Sequence, residues 1–312
     1  MSLFLVTLIA VGVLLLVAVP GFILTKRRMV SEDCIPGFSR VLLFVCQPCL
    51  AIYSFTGLDL NAELLANIGI FTLITVAVFA VMLGGAYLIL YKKCERPIFR
   101  ILTIATTFSN CAFFGIPIIE AVMPEQAAGV IVYTTVFAVV MNVFGWTVGS
   151  AIIARDPRYM SPRKIFLNPA MLGLVAAMLI AGLKIPIHPD IMSMITTLAK
   201  MCTPLSMLIM GMRLATMRLG SLFTDLRIYL TIAVKQFVMP LVGFIIVFFL
   251  PLDPSMKAAF FIMCACPAAS VVLNFAELVG EGQREAANTV LLSTILSIVT
   301  LPVMMLMLPL IL

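Results

Sequence analysis

Charge is what this chain has least of: of 312 residues, 11% are Asp, Glu, Lys or Arg, while 63% are hydrophobic. A water-soluble fold needs a polar face on most of its helices, and the apolar runs here are apolar all round, which excludes it. Histidine occurs once, as His188, in the short polar stretch 184–190. An exposed loop is its ordinary place. No zinc-protease pair, nucleophile elbow or phosphate loop is found, so the chain reads as a protein that is not an enzyme and has no cofactor. Long polar segments are scarce as well: the longest, 25–40, is too short for a soluble domain.

The eight cysteines do not make a framework. Cys46, Cys49, Cys111, Cys202, Cys264 and Cys266 lie inside apolar runs, where they serve packing. Cys46-Gln-Pro-Cys49 has the spacing of a metal or redox pair, but no second pair or nearby histidine completes a ligand set, so no metal is expected.

With about 20 apolar residues per crossing, ten spans are expected: 3–25, 38–58, 64–91, 100–122, 127–153, 165–183, 190–214, 226–250, 256–279 and 286–311. The first span has no basic residue before it and Lys26, Arg27 and Arg28 after it. That charge order is opposite to a cleavable signal peptide and puts the N-terminus outside. Alternate loops then face the cytoplasm and hold 16 of the 20 lysines and arginines, against two, Lys184 and Lys257, in the outer loops. The inner groups are Lys26, Arg27, Arg28 and Arg40; Lys92, Lys93, Arg96 and Arg100; Arg155, Arg158, Arg163 and Lys164; Arg213, Arg218 and Arg227; and Arg284. The net charge of +6 is thus a topology signal rather than a sign of nucleic-acid binding. The expected setting is the cytoplasmic membrane, crossed by a multi-pass chain with both termini outside.

The chain repeats itself at a shift of about 157 residues. Phe44-Val-Cys-Gln-Pro-Cys49 matches Lys200-Met-Cys-Thr-Pro-Leu205, and Glu120 with Gln126 matches Glu277 with Gln283. The shift carries the first five spans onto the second five. An odd number makes the copies enter the membrane from opposite sides, an inverted repeat as in many secondary transporters. The expected domains are a first repeat over 1–154, a linker over 155–164 and a second repeat over 165–312.

In the fourth span, Ser109-Asn-Cys-Ala-Phe-Phe-Gly-Ile-Pro117 carries residues that interrupt a membrane helix: polar Asn110, loose Gly115 and donor-less Pro117. A helix broken inside a bilayer is tolerated only where protein or a water-filled cavity covers the freed backbone. In the ninth span Pro267 supplies the break, and Ala268, Ala269 and Ser270 let another backbone approach. A lone proline kink is commonplace, but two breaks in corresponding spans point to a site. If the two spans lie side by side, the N-termini of their second halves offer free amides and partial positive charge, suited to a carboxylate. Asn110 is the first choice for solute contact, with Ser109, Pro267, Ala268, Ser270 and Asn274 around it.

Two lysines fall within spans, where a charge at the helix centre costs about 2.5–3.5 kcal/mol. Lys200 follows Asp190 at a helical depth of roughly 15 Å, which favours pairing with an anion or a carbonyl. Lys235 is nearer the inner face and also able to snorkel. Both are candidate substrate contacts. Glu120 and Glu277 fall near the far ends of their helices, at the interface.

These residues resemble the auxin efflux carrier family, which includes plant auxin exporters and bacterial transporters of malonate and other carboxylates. The likeness spans nearly the whole chain. Asn110-x-x-x-x-Gly115-x-Pro117 is similar to the family's fourth helix and Pro267 to the proline of its ninth, while Asn168-Pro169, Ile185-Pro186 and Thr203-Pro204 through Gly211 look like its sixth and seventh. The resemblance implies an all-α polytopic membrane protein of ten transmembrane helices in a 5+5 inverted repeat, with helices four and nine broken and crossing at the substrate site. That architecture is shared with sodium/proton antiporters and bile-acid symporters. It implies a homodimer through a scaffold of helices one, two, six and seven, and a six-helix bundle, including Lys235, that moves like an elevator. By that carry-over Lys200 sits on the scaffold. Plant members often have a proline before the Asn, where this chain has Ser109, so the first break differs in shape.

The expected function is a secondary transporter of a small organic anion, a carboxylate such as malonate or an auxin-like acid, by alternating access at the crossover. Three alternatives are a sodium- or proton-coupled carrier of another solute, a ligand-sensing membrane protein that transports nothing, and a channel. Flux under imposed ion gradients separates the first. The sensor lacks an output domain, and the channel lacks a continuous polar stripe.

Overall fold

The computed structural model describes residues 2–56, 58, 60–156, 158, 169–217 and 225–312. Arg163, Lys164, Asn168, Arg218 and most of the expected 155–164 linker lie outside the described residues. Twelve helical segments are numbered here in chain order. Seven are long and apolar enough to cross a membrane: α1 (Leu3–Lys26), α2 (Glu32–Phe55), α3 (Ala62–Lys93), α6 (Ala127–Ala154), α8 (Pro189–Thr216), α9 (Leu226–Phe249) and α12 (Gln283–Leu310). The shorter α5 (Cys111–Val122), α7 (Pro169–Gly182) and α10 (Pro254–Ala265) are apolar too, and α4 (Pro97–Ala105) and α11 (Val271–Val279) complete the set. The seven long helices fall on seven of the ten expected spans. The three shorter apolar ones fall on the fourth, sixth and ninth.

Local chemistry sets the helix starts. Asn61 Oδ1 accepts from Leu64 N at 2.7 Å to cap α3, and His188 Nδ1 accepts from Asp190 N at 3.4 Å to cap α8. The one histidine is therefore an exposed cap. Asp225 caps α9 through Arg227 N, and hydrogen bonds from Arg227 hold its carboxyl below the usual carboxylate range. Proline stands in the first turn of α4, α8 and α10, where its missing N–H costs nothing.

Two packing groups emerge, joined through α1, which also packs on α12 and on α5. One contains α1, α2, α7 and α8: α1 lies along the second half of α8, and α2 packs on α7 and α8. Close approach makes the α1–α8 seam possible, since a Cβ on Gly211 would sit 1.8 Å from the Ala18 carbonyl oxygen and one on Gly21 2.2 Å from that of Leu208. With no hydrophobic drive between helices in lipid, such small-residue seams are what dispersion has to work with. In the other group, α3 and α10 pack on α6, α9 on α10, and α4 and α11 on α12. Its centre is aromatic: Phe79 contacts Phe108, Phe137 and Phe144 with ring centroids 6.0, 5.3 and 5.4 Å away, and Phe260 lies 6.0 Å from both Phe71 and Phe137.

Several basic segments assigned to inner loops share one end of the molecule. Arg100 donates to the Ile153 carbonyl and to Glu281, Arg213 pairs with Glu277, and Arg227 lies 5.7 Å over the Phe99 ring. Arg100 differs from its expectation as a loop residue, being only 5% exposed. It lies in the first turn of α4 against the end of α6, and a guanidinium is buried there because a carbonyl and a carboxylate both accept from it.

Because the α1–α8 seam has no room for a Cβ, Gly211→Ala is expected to lower the thermal midpoint of the detergent-purified protein sharply. Gly12→Ala, with nothing within 4 Å of the added atom, is expected to leave it unchanged or raise it, by about 0.5–1 kcal/mol of helix propensity. Equal midpoints for the two variants would contradict the seam.

Candidate functional site at the two helix interruptions

α4 ends at Ala105, and the chain stays non-helical until α5 begins at Cys111. The break therefore lies at 106–110, ahead of Gly115 and Pro117 rather than at them. Pro117 sits in the first α-helical turn after a wide π turn, Cys111–Gly115, which accommodates its ring and missing donor. Gly115 serves a close approach: a Cβ there would meet Met263 Cε at 2.5 Å and Cys266 Sγ at 3.2 Å. The second break follows the expectation more directly. α10 ends at Ala265, Cys266 is extended at ψ 150°, and Pro267 follows before α11 starts at Val271.

The two breaks pair with each other. Asn110 N donates to the Pro267 carbonyl at 2.8 Å and Ala269 N to that of Phe108 at 3.0 Å, an antiparallel bridge between Ser109 and Ala268. Backbone groups freed by one interruption are thereby satisfied by the other, as an apolar interior requires.

Neighbouring helices complete the accounting. Ala268 N donates to Ser293 Oγ at 3.1 Å, and that hydroxyl donates to the Val290 carbonyl at 2.9 Å within α12. Gln236 Nε2 donates to the Ser293 carbonyl at 2.7 Å. Lys235, fully buried on a π turn of α9, donates from Nζ to the Cys264 carbonyl at 2.8 Å. Its ammonium thus sits at the carboxyl end of α10, where the helix dipole is negative.

Beside the bridge is a cavity of about 90 Å³. Ser109, Asn110, Ser270 and Asn274 line it from the breaks, Gln47 and Ser206 from α2 and α8, and Asn142 from α6. Asn110 is 3% exposed, and its Nδ2 has no hydrogen-bond partner among the described residues; neither has Ser109 Oγ. Orphaned buried donors of this kind are uncommon in folded proteins. The opening residues of α5 and α11, Cys111 and Val271, also line the cavity. Cys111 N donates to the Ser109 carbonyl at 2.8 Å and Val272 N to that of Ala269 at 3.1 Å, so what the two helix starts offer the cavity is the positive end of the dipole. Among the described lining residues there is no acid, and Arg213 is the one with a charge.

The structure brings together four of the residues singled out from sequence, Asn110, Ser109, Ser270 and Asn274. Pro267 and Ala268 form the bridge behind the cavity and do not line it. Lys235 is placed off the cavity, behind the second break. Lys200 stands apart from it: it is the exposed last residue before the Met201 turn in α8. Sequence reasoning passed over Gln236 and Ser293, which support the breaks, and treated Arg213 as a loop charge. Ser293 carries no motif, and only its position opposite Ala268 gives it a role.

Helices apolar all round, seven of them among the described residues long enough to cross a bilayer, define an integral membrane protein. The family model described as membrane transport protein, the auxin efflux carrier family, matches residues 6–305, and the chain belongs to that family. It is a membrane transporter. A separate comparison with curated proteins found no match to the chain.

Removing the Ser293 hydroxyl strips Ala268 N of its acceptor in a buried site, a loss of about 1–3 kcal/mol. Ser293→Ala is therefore expected to lower the thermal midpoint more than Thr300→Ala, on the same helix, whose hydroxyl donates only to a carbonyl of its own helix. Matching midpoints would remove Ser293 from the support of the break.

Proposed function

We propose that the protein is a secondary transporter that moves a small organic anion, a carboxylate such as malonate or an auxin-like acid, by alternating access at the paired breaks. The observation that carries this reading is the orphaned Asn110 Nδ2, buried beside the starts of α5 and α11 in a cavity whose described lining includes no acid. A carboxylate accepts from an amide donor and is attracted to the positive ends of two half-helices. A cation finds neither. Ser109, Ser270 and Asn274 add polar contacts, and the volume suits a small solute or a few waters.

In this reading α4 with α5, and α10 with α11, are the fourth and ninth of ten crossings in a 5+5 inverted repeat that runs over 1–154 and 165–312. The group of α1, α2, α7 and α8 is the scaffold, and also the homodimer face. The group centred on α6 is the bundle that moves like an elevator. The two packing groups and the close α1–α8 seam support that division, and the basic segments gathered at one end support a cytoplasmic side with both termini outside the cytoplasmic membrane. Coupled carriers bind sodium at broken-helix carbonyls and half-helix carboxyl ends. Here the Lys235 ammonium already holds the Cys264 carbonyl, which favours transport without sodium over the coupled alternative.

The test is uptake of radiolabelled malonate into liposomes holding the purified protein, with mono- and dicarboxylates as competitors and with imposed sodium and proton gradients. Saturable uptake insensitive to the sodium gradient is expected, and Asn110→Ala is expected to lower it by about tenfold or more, the loss of a hydrogen bond to a charged group. If wild type and Asn110→Ala transport alike, the cavity is not the site. Absence of carboxylate uptake under every gradient would remove the anion reading.

A further inference from the structure

Arg213, near the C-terminal end of α8, faces two spaces. It lines the crossover cavity, and it lines an open recess of about 500 Å³ together with Thr216, Glu277, Gln283 and Arg284. Its Nη1 donates to Glu277 Oε1, so the pair stands where the recess meets the cavity. The Arg213 side chain is 18% exposed and that of Glu277 44%, so the carboxylate is the more hydrated partner. The pair joins α8 to α11, and these belong to different packing groups. Everything further inside the cavity lining, among the described residues, is uncharged.

We propose that Arg213 is the residue that receives the solute carboxylate at the mouth of the cavity, and that Glu277 keeps its place there until a solute arrives. The inference rests on the anion-carrier reading and assigns it an entry residue. A guanidinium offers two parallel N–H donors that match a carboxylate, and the Glu277 carboxylate is a model of the ligand that the chain itself supplies. An ion pair this open to water is weakly held, so an incoming carboxylate replaces Glu277 with no change in the number of charges on Arg213. The displaced Glu277 turns to the recess, where exposed Arg284 is a neighbouring cation. Arg284 also makes the recess positive and draws anions towards it. From Arg213 the solute has only uncharged groups ahead of it, ending at the Asn110 amide.

A second role for the pair, as a latch between the two packing groups, makes the opposite forecast and is separable. If the pair is only a latch, Arg213→Gln and Glu277→Gln break the same bond and shift transport in the same direction. If Arg213 binds the solute and Glu277 competes for it, the two substitutions act oppositely. Initial rates of radiolabelled malonate uptake against concentration, in liposomes holding each variant, decide between them. Arg213→Gln is expected to raise the half-saturating concentration by about tenfold or more, as for a lost hydrogen bond between charged groups. Arg213→Lys, which keeps the charge and loses the fork, is expected to fall between it and wild type, and Glu277→Gln to lower the half-saturating concentration. Shifts of the same sign for the Arg213 and Glu277 variants, or no shift in either, overturn the proposal. Should Arg213→Gln not fold, Arg213→Lys and Glu277→Gln carry the same opposition of sign. Asn110→Ala keeps the two readings apart: if it alone loses uptake while the Arg213 variants match wild type, the crossover site stands and the entry residue falls. Failure of wild type to take up malonate removes both.

Discussion

The structure depends on one constraint: a backbone amide or carbonyl freed inside an apolar interior has to find a partner. Two helices are broken at depth here, and each break supplies what the other lacks through the Asn110–Pro267 and Ala269–Phe108 hydrogen bonds. What the bridge leaves over is taken up from behind, by Ser293 on Ala268 N and Lys235 on the Cys264 carbonyl. Asn110 Nδ2 and Ser109 Oγ, without partners among the described residues, belong to residues that line the cavity, whereas Thr107 Oγ1 in the same break lacks a partner and Thr107 does not line it.

Packing around the bridge is uneven in kind. Towards α6 it is aromatic, with Phe108 buried against Phe79 immediately beside the hydrogen-bonded carbonyl, which fixes one side of the break in place. Towards α10 it is a matter of room, since Gly115 lets α5 come up against Met263 and Cys266. On the far side of the cavity the lining comes from α2 and α8, with Gln47 and Ser206 among it.

Charge is distributed by the same economy. Lys235 is tolerated without exposure because it sits on a helix's negative end, and Arg100 because it bridges a carbonyl and Glu281. Arg213 is paired with a hydrated acid, Glu277, as Arg100 is with Glu281, but it stands where the uncharged cavity meets the recess. What sets Arg213 apart is its place at the cavity rather than the hydration of its partner.

Composition and periodicity determined that this is a helical membrane protein, because an all-round apolar helix has no other stable setting, and the family followed from the Asn110, Gly115, Pro117 and Pro267 pattern. Seven long helices fall where apolar runs predict them. Pro267 also marks its break correctly, since the residue before it, Cys266, is held extended at ψ 150° and ends α10. The first break was less legible: Gly115 and Pro117 suggest it, yet the chain departs from helix at 106–110, because a π turn absorbs the proline and the Ser109–Ala268 pairing fixes where the backbone extends. The placement of Lys235 behind the break, of Lys200 away from the cavity and of Arg213 at its mouth was decided only by tertiary structure. A sequence tells how deep a charge lies along its helix, but which way it faces depends on the helices packed around it.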